Sequence, residues 1–135
     1  MQPLINILLV EPNAFDRDYI IGLLNAHMSQ LTSLQSFEEA RKLLFKPSPK
    51  LPDVVLLGDE GLDRGGLKLL REIRAAKNTS QIPVILLTDL LIDRRTWCAF
   101  EDDGITFQVV KPVTYTKLTF AFSAAGILLR TNPPA

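Results

Sequence analysis

The chain has 135 residues, 47% of them hydrophobic, and 15 Lys plus Arg balance 15 Asp plus Glu. That length fits one domain with an ordinary core, and zero net charge excludes the basic footprint of a nucleic-acid binder. One cysteine (Cys98) and one histidine (His27) exclude an internal disulfide and a zinc site, while the lack of a long apolar stretch or a charged leader predicts a cytoplasmic protein with no membrane contact.

Ile5–Val10 is a short apolar run closed by the turn cluster Glu11-Pro12-Asn13, the pattern of a buried strand. Residues 14–28 have helical spacing, with Phe15, Tyr19, Leu23 and Leu24 on one face. Residues 31–37 form a weaker strand. Ser36 predicts a helix cap, with Glu39 as its capping-box partner, and Ala40, Leu43 and Leu44 supply that helix's apolar side. Pro47, Pro49 and Pro52 then stop it. Residues 53–57 are nearly all apolar, so both faces of this third strand are expected to be covered, as in a parallel sheet. Residues 58–66 carry four glycines and predict a loop. Leu67, Leu69, Leu70 and Ile73 mark a helix ending near Asn78. Residues 82–88 are a fourth strand, 92–101 a helix, 105–110 a fifth strand and 114–129 a fifth helix. This alternation predicts an α/β fold with right-handed crossovers and a parallel sheet covered on both faces. Short linkers leave no domain boundary, so residues 1–135 are expected to be one domain with its core at about 5–129.

In open α/β sheets, sites form beyond the carboxyl ends of the strands. The sequence places Glu11-Pro12-Asn13, Gly58-Asp59-Glu60, Thr88-Asp89 and Lys111-Pro112 there. An acid, a hydroxyl and a lysine in one crevice form a phosphate-handling set. The lysine pairs with phosphoryl oxygens, the hydroxyl hydrogen-bonds one, and carboxylates can hold Mg²⁺. Other features carry less. Gly61, Gly65 and Gly66 lack the order of a dinucleotide-binding loop. His27 has no companion ligand or nucleophile, and Cys98, beside Trp97 and Phe100, is expected to be a packed thiol.

Five segments occur in an order and at a spacing that resemble the response-regulator receiver family of two-component signalling, across residues 5–129. They are Asn6-Ile7-Leu8-Leu9-Val10, Pro52-Asp53-Val54-Val55-Leu56-Leu57, Gly66-Leu67-Lys68-Leu69-Leu70, Ile82-Pro83-Val84-Ile85-Leu86-Leu87-Thr88 and Val110-Lys111-Pro112. The resemblance implies a flavodoxin-like (βα)5 fold, a doubly wound five-stranded parallel sheet in the order 2-1-3-4-5. It also implies a phosphoacceptor aspartate after strand three and Mg²⁺ held by two acids after strand one. Thr88 matches the family's switch hydroxyl, Lys111 its lysine, and Pro112 the following proline, with a cis peptide expected between the last two. Glu11 falls on the first acidic position. Two departures matter more. Pro12 stands at the second acidic position without a side-chain ligand, and Gly58 falls on the acceptor position without a nucleophile. Gln108, preceded by Phe107, stands at the aromatic switch position. Asp59 is the alternative acceptor. Neighbours on an extended strand point to opposite faces, so it is expected to be a solvated loop acid instead. Lys111 is expected to pair with Glu11.

The expected function is therefore a phosphorylation-independent receiver-like interaction module, not an enzyme, with no cofactor and its Mg²⁺ site lost. The alternatives are a working receiver that uses Asp59, and a small ligand-binding protein or enzyme on the same fold. The fifth helix carries two apolar stripes. Leu118, Phe122, Ala125 and Leu129 should face the sheet, and Phe120, Ala124 and Ile127 lie roughly opposite. The resemblance implies a partner or dimer face built from the fourth helix, fifth strand and fifth helix, which Trp97 and Phe100 would extend. The expected partner is a protein or a second copy of the chain, giving a homodimer.

Overall fold

Apolar runs make the sheet and amphipathic runs cover it. The computed structural model of the chain describes residues 5–25, 29–47, 50–59, 64–89, 94–97 and 103–127. In chain order the elements are β1 (Ile5–Val10), α1 (Ala14–Leu24), β2 (Ser29–Leu34), α2 (Phe37–Leu44), β3 (Val54–Asp59), α3 (Gly65–Ala75), β4 (Val84–Thr88), α4 (Arg94–Trp97), β5 (Thr106–Val110) and α5 (Tyr115–Ala124). The strands pair in parallel throughout, in the order β2-β1-β3-β4-β5. This is the flavodoxin-like arrangement.

The sheet has a packed layer on each face. Ile7, Leu9, Val54, Leu56, Ile85, Leu87 and Val109 meet Ile20 and Leu24 of α1 and Leu118, Ala121 and Phe122 of α5. Leu8, Val10, Val55, Leu57, Val84 and Leu86 meet Ala40 and Leu44 of α2 and Leu67, Leu69, Leu70 and Ile73 of α3. Successive residues of β1, β3 and β4 alternate between these two layers, as the pleat requires. Continuous apolar sequence and two-sided burial are thus the same fact.

Short polar side chains start three helices. Asn13, Ser36 and Thr114 each accept a hydrogen bond from the amide three residues on, in Asp16, Glu39 and Lys117. The Ser36 hydroxyl also donates to Glu39 Oε1 at 3.3 Å, close to the predicted capping box.

Several boundaries differ from those expected. β3 runs two residues further, through Gly58 and Asp59, because both continue the ladder with β4. β2 ends at Leu34, leaving Ser36 free to cap α2. α1 ends at Leu24, with Asn25 as its C-cap. α3 ends at Ala75, because Ala76 is extended. The buried face of α1 also differs from the expected one. Phe15 is 81% exposed and Tyr19 48%, while Ile20 and Leu24 are buried. The branched aliphatics pack on the sheet and leave the aromatic pair at their side.

Opposite the strand tips, Arg74 ties α3 to the edge of the sheet. Its guanidinium donates to Ser80 O, Ile82 O, Ile105 O and Thr106 Oγ1 and pairs with Asp103. Asp103 also accepts from the Thr106 hydroxyl and from the amides of Ile105 and Thr106. Burial pushes the Arg74 guanidinium below its ordinary pKa, against the pull of Asp103. Burial alone would raise the Asp103 carboxyl. The bonds from Thr106 and Ile105, together with Arg74, outweigh that and hold it below its ordinary 3.8. A lowered folded value means that the stabilisation is full above 3.8 and disappears as pH falls through the folded value. Asp103→Asn should therefore lower unfolding free energy by about 1 kcal/mol at neutral pH. Urea titrations at stepped pH should show that gap closing on acidification.

Candidate functional site

The strand tips bring four short segments together, and alternation decides which side chains meet. Gly58 is two residues past Leu56, so it opens toward the α1 and α5 layer. Glu11 and Lys111 are two past Leu9 and Val109 and share that side. Asp59 is two past Leu57 and faces the α2 and α3 layer.

Glu11 fills the space above Gly58. A Cβ on Gly58 would lie 2.5 Å from Glu11 Oε2, 2.6 Å from its Cδ and 2.7 Å from Oε1. Lys111 Nζ donates to Glu11 Oε1 at 2.6 Å and to Asp16 Oδ2 at 2.9 Å. The Asn13 amide donates to Glu11 Oε2 at 3.3 Å, and Arg17 Nη1 donates to the Glu11 carbonyl at 2.8 Å. The Glu11 side chain is fully buried and that of Lys111 only 11% exposed. Asp16 is a site residue that sequence reasoning missed. Its signal was an acid in the first turn of a helix beginning beside the crevice.

Pro12 is exposed and offers no side-chain oxygen. Glu11 and Asp16 already share one ammonium. Among the described residues, no group of three or more His, Cys, Asp or Glu is placed to hold a metal. The Lys111-Pro112 peptide is cis.

Asp59 is not the solvated loop acid expected. It is fully buried at the end of β3. Its Oδ1 accepts the Leu67 amide at 3.1 Å, in the first turn of α3, and its Oδ2 lies 3.0 Å from Arg64 Nε. Among the described residues Oδ2 has no aligned hydrogen bond, so the second contact is ionic. Arg64 stands at the N-cap position in a left-handed conformation and gives no side-chain cap, so Asp59 caps the helix from the strand. Thr88 is the register partner of Asp59 and by alternation shares its face. Among the described residues its buried hydroxyl has no hydrogen-bond partner. The structure therefore brings Glu11, Lys111 and Asp16 together over Gly58 and sets Asp59 and Thr88 on the other side of the sheet. The Thr88 carbonyl accepts the Lys111 amide at 2.7 Å.

No protein-family model and no curated protein matches the sequence. Solved structures do match the fold. The bacteriophytochrome response regulator RtBRR matches with a TM-score of 0.77 at 24% identity, over 98% of this chain and 85% of that one. The bacteriophytochrome response regulator AtBRR gives 0.75 at 25% identity, over 94% and 96%. The Vibrio cholerae chemotaxis protein CheY4 gives 0.73 at 16% identity, over 91% and 99%. The fold is that of a response-regulator receiver.

On this receiver fold, the residues marked for an interface are distributed unevenly. Phe120 is 77% exposed and Ala124 is exposed, but Ile127 packs partly against the core beneath α5. Trp97 is half-buried and packs against the α2 and α3 layer. Phe107 is packed beneath α5, and Gln108 is half-buried. Phe100, Cys98, His27, Glu60, Gly61 and Leu129 lie outside the described residues. The receiver fold also holds a cavity of about 310 Å³ that the sequence did not foretell, lined by Phe15, Tyr19, Ile20, Lys111, Pro112 and Val113.

Asp59→Ala should remove a helix cap and strand Arg64 without its partner, lowering unfolding free energy by about 2 kcal/mol. Urea denaturation checks this. A solvated loop acid would give a change within about 0.5 kcal/mol.

Proposed function

We propose that this chain is a protein–protein interaction module of two-component-type signalling that works without phosphorylation, without Mg²⁺ and without catalysing a reaction. One observation carries the reading: the acceptor position is Gly58, and the space above it holds the carboxylate of Glu11. Glycine offers no oxygen to a phosphoryl donor. Asp59 is committed to the first turn of α3 on the other side of the sheet. Among the described residues no helix is long and apolar enough to cross a membrane, which is compatible with a cytoplasmic setting.

Incubation with acetyl phosphate and Mg²⁺, followed by intact-mass measurement, tests the reading. The unmodified mass is expected. A single phosphoryl adduct that vanishes in Asp59→Asn would overturn it in favour of a displaced acceptor.

The partner surface is proposed on β5 and α5. Phe107, Val110, Lys117, Phe120 and Ala124 line a groove of about 520 Å³ there. Large exposed apolar side chains beside such a groove are typical of contact surfaces. A neutral chain also gets little charge repulsion to keep copies apart, which favours self-association. We take a second copy as the occupant. Phe120→Glu should lower the mass found by sedimentation equilibrium toward that of a monomer. If the wild type already sediments as a monomer, or the variant keeps the dimer mass, the surface lies elsewhere.

A further inference from the structure

The Lys111 ammonium is nearly enclosed, and an enclosed cation needs an anion close by. In this chain β3 cannot supply one. Gly58 has no side chain, and Asp59 is turned to the opposite face. Asp16 helps from α1, but its side chain is 29% exposed. The fully buried partner comes from the neighbouring strand. Val10 pairs with Leu57 in the ladder, so Glu11 lies alongside Gly58. Adjacent strands are about 4.8 Å apart, a gap that the long glutamate side chain crosses.

We infer that the Glu11 carboxylate is the resident anion of this site, taking from β1 both the volume and the ionic role of the side chain that β3 lacks. Three observations meet on this. All three atoms of the carboxylate group lie within 2.7 Å of where a Gly58 Cβ would be. The same group holds Lys111 at 2.6 Å. It is completely buried, so it is part of the core and not a ligand waiting for solvent. The pairing ties the segment after β1, the tip of β3, the segment after β5 and, through Asp16, the start of α1. The site is thus liganded by the chain itself and held in one arrangement. This deepens the phosphorylation-independent reading and rests on it.

A reciprocal swap tests the inference, with thermal midpoints compared for the wild type, Glu11→Ala, Gly58→Asp and the double variant. Glu11→Ala strips Lys111 of its buried partner. Gly58→Asp forces two carboxylates into one volume. Each single variant should melt lower than the wild type. The double variant returns one carboxylate to the site from the other strand, and should melt above both singles by roughly 5 °C or more. If the losses add, with the double below both singles, the inference fails. Should Gly58→Asp not fold, Glu11→Gln and Lys111→Met decide instead. Loss in each single with recovery in their double supports the ionic role, and additive losses overturn it. The two readings fail separately. A phosphoryl adduct on the wild type sinks the proposed function and leaves the swap untouched, while additive midpoints sink the resident anion and say nothing about adducts.

Discussion

A strand buried on both faces has no freedom over which way its last residues point. Slipping β3 by one residue would send Leu56 and Leu57, both fully buried, into each other's layers. That constraint aims Gly58 at α1 and α5 and Asp59 at α2 and α3. The start of α3 enforces it again. A Cβ on Gly66 would collide with the Gly58 carbonyl oxygen and lie 2.7 Å from Asp59 Cβ. Only glycine at 66 lets the helix settle that close to the strand tip. Once it has settled there, the Leu67 amide is within reach of Asp59.

The two acids at the tip therefore belong to separate charge systems, set back to back across the sheet. Glu11 answers Lys111 on one face and Asp59 answers Arg64 on the other. Neither pair is a large net source of stability, since desolvation offsets much of the Coulomb gain. Their weight lies in the cost of breaking them, because either change leaves a charge or a helix amide enclosed and unanswered. This is why the arrangement is specific. To reach the lysine crevice the Asp59 carboxylate would have to uncap α3 and release Arg64, and it would find Glu11 already there.

Much of the fold was legible because continuous apolar strands and capped amphipathic helices are local patterns. The run Val54-Val55-Leu56-Leu57 needs no tertiary knowledge: it is apolar in sequence and buried in space. Ser36 and Glu39 announced α2 by themselves. The site was half legible. The pairing of Glu11 with Lys111 was expected, because both sit at strand ends that the topology brings together. Asp16 was not, since its role depends on where the first turn of α1 rests relative to β5. Asp59 was taken as solvated because glycine-rich sequence around it resembles a loop, and a cap delivered across eight residues to Leu67 leaves no local mark. Phe15 and Tyr19 misled for a different reason. Their spacing is helical, but Ile20 lies beside them and Leu24 falls on both spacings, and only packing against the sheet decides which of them is buried.

A ligand shifts a conformational equilibrium only by its differential affinity for the states involved. A phosphoryl group that comes and goes can bias such an equilibrium. A carboxylate that is covalently part of the chain is present in every copy at all times, so it biases the equilibrium permanently. With Glu11 on Lys111, the segments after β1 and β5 are held together by a bond within the chain. On the proposed phosphorylation-independent reading, any change in signalling would come from how much of the chain is present, or from a partner that binds one of its surfaces. The exposed aromatics lie where such a partner would find them. Phe120 stands on α5, and Phe15 and Tyr19 flank the cavity beside the lysine. Contact at that cavity would act directly on the side chains that hold the resident anion in place, since Lys111 and Asp16 both line it.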